Sequence, residues 1–456
     1  MATSSDTISI KRISEAYPLL VSVRRLLHIV SVSPDMKVEA LIAADALLKK
    51  SRAVDMYTKM WDKYEAIMGG VGLHRDIDWI ANQTAANKTD LGRLEQEVKR
   101  TKNNGVKEAV RLALCDIAKY YIDVDQADTA QSHYLRVRDY CLGVNQILTM
   151  CLDVAKSSFE MGNYPSALSF YTKGQAKLEG DEGIRHRLEL YGGLSHLAAE
   201  DYRSAALCFL RISFNCASEW TEAATAADIC VYAVVCALAT FSRKDLREKI
   251  LDSPSFREYS DEIPQLREAV ELFHRAHYKE ALAIVEGMKP MLGLDLYMRN
   301  HVANLYKKIR AKGVELFVKP YNFISIPDIA TEFGVTAEEM HEEVVHMIEN
   351  KQISAKVDDL ENALVLEDVD DDLAVLEDVT DTIDGAAMRM KAGLVRLLLL
   401  RENFEFSEGK GLSVDDGGEQ YVEDKTSKAA PSGIFVRQQS GAGMSMGEGR
   451  LTGGRQ

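Results

Sequence analysis

The sequence predicts an all-α protein: a TPR-like helical-repeat solenoid capped by a winged helix and followed by one more C-terminal helix. Three observations predict this fold class. A short motif recurs at a nearly constant spacing of about 38 residues, helical periodicity runs without interruption from 106 to about 312, and the pattern changes after Pro320 to two short helices and a hairpin. Together they define an architecture typical of proteins that present long surfaces to other proteins.

The repeat is carried by a four-residue motif with Tyr at its first position and Ala at its fourth. It occurs at Tyr164–Ala167, Tyr202–Ala205 and Tyr278–Ala281, and Ala127–Ala130 is a variant without Tyr. The Ala positions are 37, 38 and 76 residues apart, and 76 is twice 38. This period is typical of stacked helix–turn–helix repeats. The intervening slot, Phe241–Lys244, lacks the motif and predicts one degenerate repeat.

Residues 1–105 are predicted to form an N-terminal helical arm that precedes a solenoid over 106–315. Apolar residues such as Leu26 and Leu41 recur at helical spacing in the arm, and the cluster Gly69–Gly72 ends this pattern. The polar stretch that follows contains one further helix, around Leu91–Val98.

A winged helix is predicted over 316–366. Ser325 and Thr336 each begin a capping-box pattern, so that one short helix runs to Gly334 and a second to Asn350. Two short apolar segments, Ile353–Val357 and Ala363–Leu366, flank a charged turn and predict a β-hairpin. The order helix, turn, helix, hairpin is that of a winged helix.

The chain beyond residue 366 divides into two further segments. Residues 367–404 begin with an acidic linker and continue as a helix over about 383–404 that carries several Met and Leu residues. Residues 405–456 are rich in Gly and show no periodicity, which predicts a disordered tail.

Composition excludes several classes of function. The net charge is −15, and the second helix of the winged helix carries five Glu and no Lys or Arg, so that binding to DNA phosphates is not expected. The seven Cys lie in apolar helical stretches without a Cys-x-x-Cys pair, which indicates reduced thiols in the cytosol or nucleus. No signal peptide or membrane span is predicted, and therefore no membrane association.

No catalytic constellation is predicted. His341 and His346 are five residues apart, whereas two histidines that hold zinc from one helix are four apart. Gly443–Gly447 has the letters of a nucleophile elbow but lies in the Gly-rich tail rather than at a strand-to-helix turn. We therefore expect no enzyme activity, no metal and no cofactor.

Three segments are candidates for contact with partner proteins. Arg24 and Arg25 precede an apolar run and form either an ordinary solvated helix face or a contact with an acidic partner. The hairpin offers a strand edge to a neighbouring sheet. The C-terminal helix has an apolar face that needs a cover, either its own domain or a shared helical bundle. The strand-edge and helix candidates are Ile353, Ala355, Val357, Leu394, Leu397 and Leu398.

Several segments resemble a known family. A helical-repeat solenoid capped by a winged helix is similar to the PCI domain, found in the proteasome regulatory lid, the COP-nine signalosome and translation initiation factor three. The stretches that resemble the signalosome's PCI subunits are Arg136–Cys141, Met150–Val154, Cys236–Phe241, Leu294–Tyr297 and Phe317–Tyr321. The resemblance covers about residues 15–404, and a paralogous proteasome-lid subunit is the alternative.

The resemblance implies a non-catalytic scaffold in a complex that removes a ubiquitin-like modifier from cullins and so regulates cullin-RING ubiquitin ligases. In such a complex another subunit carries the zinc metalloprotease. The winged helix would contact neighbouring PCI subunits, the C-terminal helix would enter a shared bundle, and the N-terminal arm would project outward, where it could meet cullin-RING ligases. The implied location is cytoplasmic and nuclear.

Overall fold

The computed structural model describes residues 10–70, 72–176, 181–358, 361–366, 371–401, 405–406 and 436–437. It divides into two compact units, residues 1–367 and 368–456, which are considered separately. Helices dominate the described residues, so the predicted all-α class is confirmed.

The N-terminal arm is a set of helices with a hydrophobic core of its own, formed by residues between Ile10 and Met68. The fourth helix ends at Gly70, within the predicted glycine cluster. The fifth is much longer than the predicted 91–98 segment, because Asp76 caps its first turn and left-handed Gly105 ends it. The helices are α1 (Ile10–Ala16), α2 (Leu19–Val32), α3 (Lys37–Leu48), α4 (Val54–Gly70) and α5 (Ile77–Asn104).

The solenoid follows as antiparallel helix pairs that share two hydrophobic clusters, one beginning at Val110 and the other running from Leu152 to Leu364. Its helices are α6 (Lys107–Asp123), α7 (Ala127–Val137), α8 (Val144–Glu160), α9 (Tyr164–Gln175), α10 (Glu182–Ala198), α11 (Tyr202–Leu210), α12 (Phe214–Glu219), α13 (Ala226–Thr240), α14 (Arg243–Leu246), α15 (Pro254–Glu262), α16 (Pro264–His274), α17 (Tyr278–Gly287), α18 (Lys289–Leu294) and α19 (Arg299–Val318).

The repeat motif marks helix starts, as predicted. Helices α7, α9, α11 and α17 begin at the first residue of the four motif copies, and the fourth-position Ala of every copy is at most 2% exposed. The residue two positions before each helix has a left-handed backbone, with φ between +62° and +76°. These residues are Asp125, Gly162, Glu200 and Ala276. A Schellman-type turn therefore repeats with the motif, although only one copy uses glycine.

The structure also contains the degenerate repeat that was predicted at Phe241–Lys244. Instead of a full repeat helix, the chain forms the four-residue α14 and continues as a π-helical turn over Arg247–Leu251. Ser242 caps this segment through the backbone N–H of Asp245, and Leu246 anchors it in the core.

The winged helix contains one strand more than predicted. β1 (Phe323–Ser325) precedes α20 (Ile326–Phe333) and α21 (Ala337–Glu349), and β2 (Ala355–Asp358) and β3 (Ala363–Leu366) follow. The three strands are antiparallel in the order β1-β3-β2. Thr336 caps α21 as expected, whereas Ser325 makes no side-chain cap bond because it is the last residue of β1.

In the second unit, α22 (Asp371–Arg401) begins twelve residues earlier than the predicted start at 383. The part of the predicted acidic linker that follows Asp371 is therefore helical. β4 (Glu405–Phe406) pairs antiparallel with β5 (Val436–Arg437), a contact not predicted for the tail. The rest of the tail, 407–435 and 438–456, lies outside the described residues.

Candidate protein-interaction surfaces

The edge strand of the winged helix is the first candidate surface. The order of the sheet places β2 at one edge, with β3 on its inner side. The side chains of Ile353 and Ala355 are each only 7% exposed, so they belong to the core of the domain and cannot serve as interface side chains. A partner at this edge would contact the strand backbone together with Lys356, which is exposed, and the half-buried Val357.

The second helix of the winged helix, α21, presents an acidic face. Glu338, Glu339, Glu342 and Glu349 are exposed, while Glu343 is half-buried and forms an ion pair of 2.8 Å with Arg310. This face would repel DNA phosphates, which agrees with the expectation that the domain does not bind nucleic acid.

The C-terminal helix α22 is the most apolar exposed surface among the described residues. Leu394 and Leu397 are 60% and 68% exposed, and Leu398 is 42% exposed. The pattern extends beyond the predicted helix, because exposed apolar residues recur every seven positions, which is typical of a coiled-coil seam. These residues are Leu376, Ile383, Met390 and Leu397. The heptad spacing was present in the sequence and could have predicted the full length of the helix.

Arg25 occupies a different kind of site from the two predicted for it. Its side chain is buried and donates to Asp295 Oδ2 at 2.6 Å and to the backbone oxygen of Ala223 at 3.0 Å. The guanidinium also lies 4.2 Å from the centre of the Tyr17 ring and 5.3 Å from that of Tyr297. Neither a solvated face nor a contact with another protein describes this residue, because its acidic partner lies within the same chain.

Arg24 makes a second intrachain contact between α2 and the solenoid. It donates to Asp125 at 2.6 Å and lies 3.6 Å from Glu160. The Tyr17 hydroxyl donates to Asp228 on α13. We call these contacts of Tyr17, Arg24 and Arg25 the docking cluster. It holds α2 against the solenoid, so the outward projection implied by the resemblance is wrong for this helix.

The described residues bear on the expected absence of a metal site, a membrane span and a reactive thiol. They contain no group of three or more His, Cys, Asp or Glu placed to hold a metal ion, and no described helix is long and apolar enough to cross a membrane. Burial raises the pKa of the Cys115 thiol to about 11 and that of Cys208 to about 12, so these two thiols are not activated as nucleophiles.

Comparison with known families agrees with this architecture. The family model described as "26S proteasome subunit RPN7" matches residues 76–249, and the model described as "PCI domain" matches residues 278–368. The first covers the long helix α5 and most of the solenoid, and the second covers its last repeat with the winged helix. The chain is thus a helical-repeat protein with a PCI domain, as the sequence predicted.

Among curated proteins the chain is similar to subunit 1 of the COP9 signalosome. It is 25% identical to that subunit from Arabidopsis thaliana over 90% of this chain and 93% of the relative. Identity is 27% to the subunit from Schizosaccharomyces pombe, over 71% and 76%, and 29% to subunit 1b from Drosophila melanogaster, over 65% and 57%.

The proteasome relatives are more distant. The Arabidopsis thaliana homolog of 26S proteasome non-ATPase regulatory subunit 6 is 22% identical over 66% of this chain and 78% of that protein. The predicted resemblance to the signalosome subunit, with a paralogue in the proteasome lid, is therefore confirmed.

Proposed function

We propose that this chain is a non-catalytic scaffold subunit of a COP9 signalosome, the complex that removes a ubiquitin-like modifier from cullins. The observation that carries the proposal is the similarity to signalosome subunit 1 along nearly the whole chain, 90% in the Arabidopsis thaliana comparison. A short conserved motif would support only a fold, whereas similarity through arm, solenoid and winged helix supports the role of the whole subunit.

Assembly would use both ends of the C-terminal region. The edge of β2 would extend its sheet into that of a neighbouring PCI subunit, since an edge strand is a ready template for pairing. The α22 helix would enter a bundle of helices from several subunits, with the seven-residue seam of Leu376, Ile383, Met390 and Leu397 facing inward.

Catalysis is assigned to another subunit of the complex, in agreement with the inert thiols and the unsuitable spacing of His341 and His346. Contact with cullin-RING ligases would involve the arm, but not Arg25, because the side chain of this residue is buried in the docking cluster. Exposed Val38 and Ile42, one turn apart on α3, offer an alternative contact. We place the complex in the cytoplasm and nucleus.

A scaffold subunit of the proteasome regulatory lid is the second candidate function. The match of residues 76–249 to the proteasome-subunit family model favours it. The proteasome relatives, however, have lower identity and cover 66% and 67% of this chain, against 90% for the Arabidopsis thaliana signalosome subunit.

Two deletions of the full chain test how it assembles. Removing residues 383–404 takes away much of the seam and should strongly reduce recovery of signalosome subunits with the tagged chain, while the solenoid remains folded. Removing residues 407–456 is the control and should leave recovery unchanged. If the tail deletion disrupts assembly and the helix deletion does not, the proposed bundle contact is wrong.

A further inference from the structure

The degenerate repeat carries a basic cleft that the scaffold role does not use. The cleft has a volume of about 480 Å³ and lies between the α14/π-helical segment and the end of α16. Its basic lining residues are Arg243, Lys244, Arg247 and His274, against two acidic ones, Glu248 and Asp252. A protein with a net charge of −15 thus has a concave surface of opposite sign.

A second, smaller cavity of about 200 Å³ continues the cleft, and His274 lines both. Arg257, Arg267 and Arg275 line the second cavity, where Glu271 is the acidic residue. We call the two cavities together the basic trough. Its lining residues include six Arg or Lys and three Asp or Glu, so the trough has a net positive charge although the chain is strongly acidic.

Several positive charges of the trough lie near His274. Burial and the nearby guanidinium groups of Arg243, Arg247 and Arg275 lower the pKa of His274, and Asp252 opposes them. The ion pairs of the trough are local, such as Arg247 with Asp252 at 3.5 Å and Arg267 with Glu271 at 3.0 Å. Arg243 has no ion pair with any residue in the described part of the chain. A concave surface with this arrangement concentrates anions.

The local backbone is also unusual. The repeat motif is lost at this slot, and the chain forms a π-helical turn. This conformation is rare in proteins overall, but where it occurs it is often at a functional site. Arg243 and Arg247 are four residues apart in the sequence, which is about one turn of a helix, and both line the same cavity. A regular repeat helix would continue the stacking of the solenoid instead.

We infer that the basic trough at the degenerate repeat, lined by Arg243, Arg247 and Arg275, binds an extended acidic peptide of a partner protein. Basic residues line both of the cavities that share His274, and this spread of positive charge fits a chain of carboxylates better than one compact anion. Arginine is the side chain suited to this task because its planar donors match carboxylates. None of the lining residues of the trough belongs to the winged helix or to α22.

Fluorescence anisotropy with the full-length protein tests this inference. The probe is a labelled decapeptide of alternating Glu and Ser, compared with the same peptide carrying Gln in place of Glu. The double variant Arg243→Glu/Arg247→Glu should weaken binding of the Glu peptide by about tenfold or more, since two attractions become repulsions. Binding should also weaken as salt increases, because exposed charges are screened.

The matched control is Arg93→Glu/Arg100→Glu on α5, whose side chains are 77% and 71% exposed. It changes the net charge by the same amount far from the repeat, and it should alter binding by less than about twofold, because distant exposed charges are screened. If the first variant melts at a lower temperature than the wild type, the milder Lys244→Glu replaces it, since this side chain is 82% exposed.

Three results would overturn the inference. The cleft and control variants could weaken binding equally, which would show a general charge effect. The Gln peptide could bind as tightly as the Glu peptide. Inorganic triphosphate could bind with the same dependence on Arg243 and Arg247 while the Glu peptide does not, which would identify the trough as a site for small phosphate anions.

Discussion

Replacing Arg25 with Met is expected to release the N-terminal arm from the solenoid. The buried guanidinium donates to Asp295 and to the oxygen of Ala223, and Met keeps an unbranched apolar stem but removes every donor. Loss of one partner of a buried ion pair is destabilising by about 3–5 kcal/mol. The lower end applies here, because Asp295 keeps its bond from the Tyr232 hydroxyl at 2.8 Å.

Hydrogen exchange measured by mass spectrometry reports this release by region. A loss of about 3 kcal/mol in docking corresponds to about a hundredfold faster exchange of amides that only docking protects. We expect this acceleration in peptides covering 220–230 and 292–299, which lie at the docking face. Peptides from 40–64 should be unchanged, because that segment belongs to the separate core of the arm.

Arg24→Met provides a graded comparison at the neighbouring position. Its side chain is 25% exposed, and its contacts with Asp125 and Glu160 are partly solvated. The expected loss is about 1 kcal/mol, or about a fivefold acceleration of exchange. Unchanged exchange at the docking face in Arg25→Met would refute the role of the docking cluster. So would an equal acceleration in 40–64, since the arm would then not be a separate folding unit.

Three further predictions follow from the repeats, a buried carboxylate and the strand edge. Ala276→Gly should raise the free energy of unfolding by about 1 kcal/mol, and Gly162→Ala at the equivalent turn should lower it by a similar amount, because both residues have a left-handed backbone. Urea denaturation measures both changes, and equal effects of the same sign would contradict the prediction. Burial raises the pKa of Asp153 to about 6, so the contribution of this residue to the free energy of unfolding falls as the pH rises from about 4 through 6. Asp153→Asn should therefore raise the free energy of unfolding by about 1–2 kcal/mol at pH 7 and leave it unchanged at pH 3.5. Ala355→Pro should weaken binding to a neighbouring PCI subunit, and the melting temperature of the isolated variant is measured alongside because Ala355 is buried. Normal binding by a folded variant would exclude the β2 edge as an interface.

The architecture was predictable because it depends on local periodicity. The motif beginning at Tyr202 and Tyr278 reports an aromatic helix start and a small residue at a close helix contact, and the small residue is buried in all four copies of the motif. The winged helix was predictable for similar reasons, since Gly334 and Thr336 mark the end of one helix and the start of the next. Such signals lie within a few residues of the feature that they predict.

What the sequence did not predict depends on contacts between distant residues. Arg25 meets Asp295 across 270 positions, and nothing near Arg25 distinguishes it from a solvated arginine. Ile353 and Ala355 alternate as a strand should, but the side of the sheet that faces the core depends on α21 and β3. The left-handed turns at Glu200 and Ala276 were missed because neither residue is glycine, so only the backbone reveals them.

The most direct test of the central claim is the composition of the complex that forms around the chain. Tagged full-length protein would be purified at native expression level, and its partners would be identified by mass spectrometry. We predict that the other signalosome subunits are recovered in near-stoichiometric amounts and that the purified complex removes the ubiquitin-like modifier from cullins. Recovery of proteasome lid subunits in their place, or of the chain alone, would contradict this prediction.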